Sequence, residues 1–250
     1  MKRSVKRIKQ SLVVMMSLCV VLLGSTNAMA QKWQKIRGEG PAVKQDRDGG
    51  KFSEIYTHGS FNVEITDGAN NSVAVEAQQN LQQYIEVENN GGELHIRNKK
   101  GYNIQSDHDI TVYVTAPSLK GIYLSGSGNV KSTNQLNGSD KFEVRSAGSG
   151  NVNVDIETSD LKVSIAGSGN ITLKGKTSDL EGKIAGSGNI KAKEMQSANT
   201  SVQISGSGNA EVVATQKLNT NIAGSGDVKY WGDASVDSKV RGSGSVSRQK

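Results

Sequence analysis

The sequence predicts an all-β parallel β-helix, or β-solenoid, and three observations carry that prediction. First, Gly-Ser-Gly-Asn followed by an apolar residue recurs from Gly126, Gly148, Gly167, Gly186 and Gly206, then as Gly224-Ser225-Gly226-Asp227 and Gly242-Ser243-Gly244-Ser245. The intervals are 22, 19, 19, 20, 18 and 18 residues. Units this short cannot bury a core alone, so they must stack on one another. Second, the flanking residues alternate. Leu161, Val163, Ile165, Gly167, Gly169, Ile171 and Leu173 share one parity, while Lys162, Ser164, Ala166, Ser168, Asn170, Thr172 and Lys174 fill the other. A period of two with one apolar parity is a half-buried strand. Third, no segment carries a helical apolar period.

Taken in order, residues 1–30 read as a signal peptide. Lys2, Arg3, Lys6, Arg7 and Lys9 precede an apolar run over residues 12–23, and Ala28-Met29-Ala30 supplies small residues for cleavage before Gln31. That run is too short for a retained membrane anchor. Residues 31–50 form a polar segment. Residues 51–117 form an irregular β region, with strands expected over 51–57, 61–66, 72–78, 84–88, 93–97 and 110–115. Asn89-Asn90-Gly91-Gly92 is a hairpin turn. Gly59-Ser60-Phe61-Asn62-Val63 reads as a degenerate repeat, so this region is a cap or a first part of the solenoid.

Residues 118–250 hold about seven regular rungs of 18–22 residues. Both glycines of each repeat lie on the inward parity, which predicts a sharp bend with no room for a side chain. A second turn, Thr158-Ser159-Asp160 or Thr177-Ser178-Asp179, closes the unit. A β-propeller is the rival, but its four-stranded blades would need these units in pairs, and seven does not divide. Stacking aligns Asn129, Asn151, Asn170, Asn189 and Asn209 in one column. That column reads as a structural amide ladder or as a ligand-binding row.

Charge and cysteine narrow the chemistry. The chain has 30 basic and 24 acidic residues; removing the five basic residues of the leader leaves 25 against 24. The basic balance belongs to the leader and gives no argument for nucleic acid or an anionic membrane. The single cysteine, Cys19, lies in the leader's apolar run, so disulfides and thiol chemistry are excluded beyond it. No metal or cofactor is expected. His58, His95 and His108 read as solvated loop residues at spacings that suit no metal. Calcium is disfavoured because only Asp227 puts an acid in the Asn column. Outward charges such as Asp155, Glu157 and Lys174, or Lys191, Lys193, Glu194 and Glu211, look like an ordinary solvated face. Tyr230 falls inward and Trp231 outward. An exposed indole can stack on a sugar ring, which makes Trp231, with Tyr230, the candidate ligand contact; covering the end of the core is the other reading.

Pro117, Leu124-Ser125-Gly126-Ser127-Gly128, the repeated Ile-Ala/Ser-Gly-Ser-Gly-Asn and the closing Gly226-Asp227-Val228-Lys229-Tyr230-Trp231-Gly232 together resemble the head GIN domain family over residues 52–246. That family is described as autotransporter adhesins and as a domain of unknown function. The resemblance implies an exported envelope protein with a β-helical fold, located in the periplasm, on the outer surface or secreted, and it brings no catalytic residues. The leading expectation is a non-enzymatic adhesin or binding module that presents a rigid polar face to glycan or a surface protein. A polysaccharide-cleaving enzyme on the same scaffold is the alternative. A structural homo-oligomer assembling through solenoid ends is the third.

Overall fold

The computed structural model describes residues 33–250, and the leader, with Gln31 and Lys32, lies outside the described residues. Residues Gln34–Lys250 form one compact unit. Its strands are β1 Gln34–Arg37, β2 Ala42–Arg47, β3 Glu54–Gly59, β4 Asn62–Asp67, β5 Ser72–Gln78, β6 Ile85–Asn90, β7 Glu93–Asn98, β8 Tyr102–Gln105, β9 Thr111–Ala116, β10 Leu119–Gly126 and β11 Asn129–Ser132. The series continues with β12 Leu136–Gly148, β13 Asn151–Glu157, β14 Asp160–Gly167, β15 Asn170–Gly186, β16 Asn189–Gly206, β17 Ala210–Val213, β18 Lys217–Gly224, β19 Val228–Trp231, β20 Ser235–Gly242 and β21 Val246–Arg248. The one helical element among the described residues is a three-residue 3₁₀ turn at Gln82–Tyr84.

These strands wind into a solenoid with two walls. Strands leading into the Gly-Ser-Gly corners make wall A, which runs β7, β3, β10, β12, β14, the second halves of β15 and β16, then β18 and β20, all parallel. Strands leaving the corners make wall B, which runs β9, β4, β11, β13, the first halves of β15 and β16, then β17, β19 and β21. Seven Gly-Ser-Gly corners bound six turns. In the rungs between the two ends the inward parity is dry: Leu161, Val163, Ile165, Ile171 and Leu173 are at most 2% exposed.

At each corner the backbones of successive rungs touch. The first glycine has φ between +125° and +137°, and an added Cβ would lie 2.1–2.4 Å from the carbonyl oxygen of the glycine one rung earlier. The second glycine has no positive φ. It is required because a Cβ would meet a carbonyl oxygen of the earlier rung at 2.0–2.2 Å. This proximity lets one carbonyl accept two donors: Ser149 N and Gly150 N both bond Gly126 O at 3.0 Å, and Ser187 N and Gly188 N bond Gly167 O at 3.0 Å.

The second corner is softer than expected. β15 passes through Thr177-Ser178-Asp179 and stays paired to β16. The buried hydroxyls of Thr158 and Thr177 donate to Ser139 O at 2.6 Å and Ser159 O at 3.0 Å, which satisfies carbonyls where the chain bends.

The N-terminal region departs most from its sequence reading. The expected strands are present, but the polar segment 31–50 also contributes β1 and β2, and β8 pairs with β1. Gly59 stacks against Gly126, so β3 and β4 form a true rung. The chain then runs outward: β7 and β9 form a further rung on the far side of β3 and β4, and β10 returns to stack on β3 from the other side. Antiparallel strands close this end, with β6 on β7, and β5 then β2 beyond β9. Leu81, Ile85 and Phe52 are buried beneath them.

Two stability predictions follow from this packing. Gly167→Ala, facing both a positive φ and a backbone clash, lowers unfolding free energy in urea by at least about 2 kcal/mol, while Ser168→Ala on the exposed tip stays within about 0.5 kcal/mol. The Thr57 hydroxyl is buried without a partner, so Thr57→Val raises stability by about 1 kcal/mol in the same measurement. Equal effects of the two corner substitutions, or a loss on Thr57→Val, contradict the packing described.

Candidate interaction surface

Alternation along wall B turns every second residue to solvent, and parallel register lines these residues up between rungs. Lys191 pairs Glu211, which pairs Lys229; Val213 pairs Trp231. The last rungs therefore display three adjoining columns: Asn189, Asn209 and Asp227; Lys191, Glu211 and Lys229; Lys193, Val213 and Trp231. At strand spacings this grid spans roughly 13 Å by 10 Å. The first two columns line an open groove of about 360 Å³.

Trp231 is half-buried at one edge of the grid, with the Lys193 ammonium 5.0 Å above its ring. One face of the indole thus carries a cation. Tyr230 points inward and packs against the core. The two predicted contact residues are neighbours in sequence but face opposite sides of the wall, and the grid around Trp231 is a wider set than the sequence singled out.

The asparagine column runs continuously through the stack. Asn129 Nδ2 donates to Asn62 Oδ1 at 3.1 Å, Asn151 to Asn129 at 3.1 Å, Asn170 to Asn151 at 2.9 Å, Asn189 to Asn170 at 2.8 Å and Asn209 to Asn189 at 3.1 Å. Asp227 ends the chain of amides: its N–H donates to Asn209 Oδ1 at 2.9 Å, and its Oδ1 accepts from Ser245 N at 2.8 Å and Ser245 Oγ at 2.7 Å. The one acid in the column is committed to hydrogen bonds. Among the described residues no group of three or more His, Cys, Asp or Glu is placed to hold a metal ion.

A second cluster, on the outer side of wall A, was not legible in the sequence. Tyr56 stacks on Tyr123 with ring centroids 4.3 Å apart and on His95 at 4.8 Å, and His58 stacks on His95 at 6.0 Å. Residues distant in the chain occupy one column because β7, β3 and β10 are neighbours in wall A. His58 and His95 are strand residues rather than loop residues, and they stack rather than converge on a centre. Carboxylates flank the rings: Tyr56 Oη donates to Glu54 at 2.9 Å, His95 Nε2 lies 3.1 Å from Glu93, and Tyr123 Oη donates to Glu143 at 3.2 Å. Desolvation, with Glu54 and Glu143 nearby, pushes the Tyr123 phenol up to about 12. The stack uses its ring faces internally, so its edges are what meets solvent.

Several outward carboxylates are ion-paired. Glu143 lies 2.6 Å from Arg145, Glu181 2.6 Å from Lys183 and Glu194 3.1 Å from Lys174. The Lys183 ammonium holds the Glu181 carboxyl below its ordinary range. A carboxyl lowered in this way is the opposite of the raised one that general acid catalysis needs.

Residues 51–234, most of the solenoid, match the family described as "Putative auto-transporter adhesin, head GIN domain". The chain belongs to this family. Solved structures agree on the fold of the head GIN domain. A Bacteroides fragilis structure described as "a putative adhesin" is 23% identical, covers 86% of this chain and 100% of its own, and superposes with a TM-score of 0.81. One from Parabacteroides merdae is 22% identical over 87% of this chain and 100% of its own, with a TM-score of 0.70. A Parabacteroides distasonis structure described as a putative lipid binding protein is 28% identical, with 87% and 100% coverage and a TM-score of 0.73. No curated protein matches the chain. Among the described residues of this head GIN domain, no helix is long and apolar enough to cross a membrane.

One titration is predicted. Desolvation, with His95 and Arg97 beside it, lowers the His58 pKa from its ordinary 6.5. The unfolded chain therefore takes up this proton first as pH falls, so the neutral His58 contributes stability above about pH 6.5 that is lost through the interval down to its lower native pKa. An NMR titration places the His58 midpoint below 6.5; a midpoint at or above 6.5 contradicts the stacked environment.

Proposed function

We propose that the protein is exported by its leader and acts as a non-enzymatic, adhesin-type module of the cell envelope, whose wall B face near the last rungs binds glycan. Membership of an adhesin-type family supports an envelope role. The observation that carries the ligand class is the grid of Asn189, Lys191, Lys193, Asn209, Glu211, Asp227, Lys229 and Trp231. It is an open, shallow groove dense in hydrogen-bonding groups, with an indole at its border. Such a surface suits an extended polar chain whose hydroxyls meet the amides and charges while a ring lies against the indole edge.

A lipid ligand, suggested by the description of one neighbour, fits this chain less well. Small apolar ligands take concave apolar cavities, and here the rung interiors are filled by side chains such as Ile156, Leu161 and Leu173, each 0% exposed. A surface protein is the other partner class that an open, shallow face admits.

Labelled chain from Gln31 onward is applied to a broad glycan array beside Trp231→Ala and Lys191→Ala, and the glycans are then recovered. Binding of intact glycans, weakened at least about tenfold in both variants, is expected. Absence of glycan binding contradicts the ligand class, binding unaffected by both substitutions contradicts the location, and shortened glycans show an enzyme.

A further inference from the structure

The two ends of the solenoid are unlike. At the N-terminal end the core is covered. At the other end every residue of β20 is exposed, and Val236 and Val240, which pair with the buried Leu218 and Ile222, are each 40% exposed. Core-facing side chains stand uncovered there beside an open strand edge. Such an edge is a template for another strand, and its sequence says which one.

In a parallel ladder successive residues direct their backbone groups to alternate neighbours. Ser235 N donates to Gln216 O, so Ser235, Asp237, Lys239 and Arg241 face β18. The N–H and C=O of Val236, Ser238 and Val240 consequently point to the free edge. Laid antiparallel on itself about Ser238, the strand matches at each position. Ser238 meets Ser238 of the second copy, and Val236 meets Val240 twice, so all three pairs have free backbone groups and can exchange six hydrogen bonds. The same register sets Asp237 opposite Lys239 twice on the outer face. Sliding by two residues one way places Asp237 against Asp237; sliding the other way places Lys239 against Lys239. A shift of one residue turns inward side chains outward. The charges, which could guard an edge against any partner, here select one register of self-pairing.

We propose that the protein forms a two-fold symmetric dimer, end to end, through antiparallel pairing of β20 with β20 of a second copy, the axis passing at Ser238. The apolar strips of the two cores then become continuous, and the binding faces of the two copies lie on one extended body. This inference is independent of what wall B binds. The joined core cross-section measures roughly 260 Å² per copy from strand length and sheet spacing, in the range of weak, transient contacts, which points to association that is micromolar or weaker.

Sedimentation equilibrium of the chain from Gln31 tests it, with circular dichroism confirming that each variant keeps its strand content. A dimer with a Kd that is micromolar or weaker is expected. Asp237→Lys and Lys239→Asp each weaken it at least tenfold by opposing like charges, and the double exchange D237K/K239D restores it. In addition, Ser238→Cys, in a chain with no other cysteine after the leader, closes a disulfide between copies on mild oxidation, whereas the mid-stack Ser187→Cys does not. A wild-type monomer at millimolar concentration, or a dimer indifferent to the single charge exchanges, overturns the proposal. So does failure of the double exchange to rescue association.

Discussion

One contact repeats through this protein and sets everything built on it: a corner glycine carbonyl accepting N–H groups from the next rung, two of them at Gly59, Gly126, Gly148, Gly167 and Gly186 and one at Gly206 and Gly224. Carbonyl and amides can approach only because no Cβ stands between the rungs at either glycine. A side chain at Gly167 would push two rungs apart at a point where both walls turn, so the cost would spread to the ladders on each side. The corner thus fixes the rung spacing, and the rung spacing fixes the columns. The asparagine amides bond to each other because they leave the corner in the same direction at the same height, rung after rung.

The same regularity explains which parts of the structure could be read from the chain. Period and parity are local properties, so the solenoid, its inward residues and the outward position of Trp231 all follow from neighbours in sequence. The closure of the N-terminal end does not. The spatial exchange of rungs, with β7 and β9 lying outside β3 and β4, depends on which edge a returning strand finds free, and an alternating pattern serves either edge equally. β1, β2 and β8 were missed for a related reason: they are short and only half-covered, so their composition is that of a polar segment. The stack of Tyr56, Tyr123 and His95 joins residues brought level only by that rung order. At the candidate surface, parity located the indole, but Lys193 reaches it across rungs, a relation that needs the register.

The surface is as repetitive as the core, and this bears on function. A solenoid of this kind offers long shallow faces in place of an enclosed pocket, and only part of its charge is partnered along or between rungs. Recognition on such a face comes from many modest contacts at fixed spacing, which suits polymers better than small molecules. Individual rungs differ mainly in their outward residues, so the three C-terminal rungs can carry a distinct binding grid without disturbing the interior. The exposed final rung is the exception to the regular pattern, since it alone keeps the inward alternation with nothing to cover it.

Backbone amide hydrogen exchange, resolved to single residues, tests the central contact most directly. Ser149, Ser168, Ser187 and Ser207 are exposed tips of turns, and turn amides ordinarily exchange fast. If each donates to a glycine carbonyl of the preceding rung, these amides and those of Gly150, Gly169, Gly188 and Gly208 exchange as slowly as the neighbouring strand residues. Exchange at the rate of unstructured loops would mean that the rungs do not touch at their corners, and the account of the fold would fail with it.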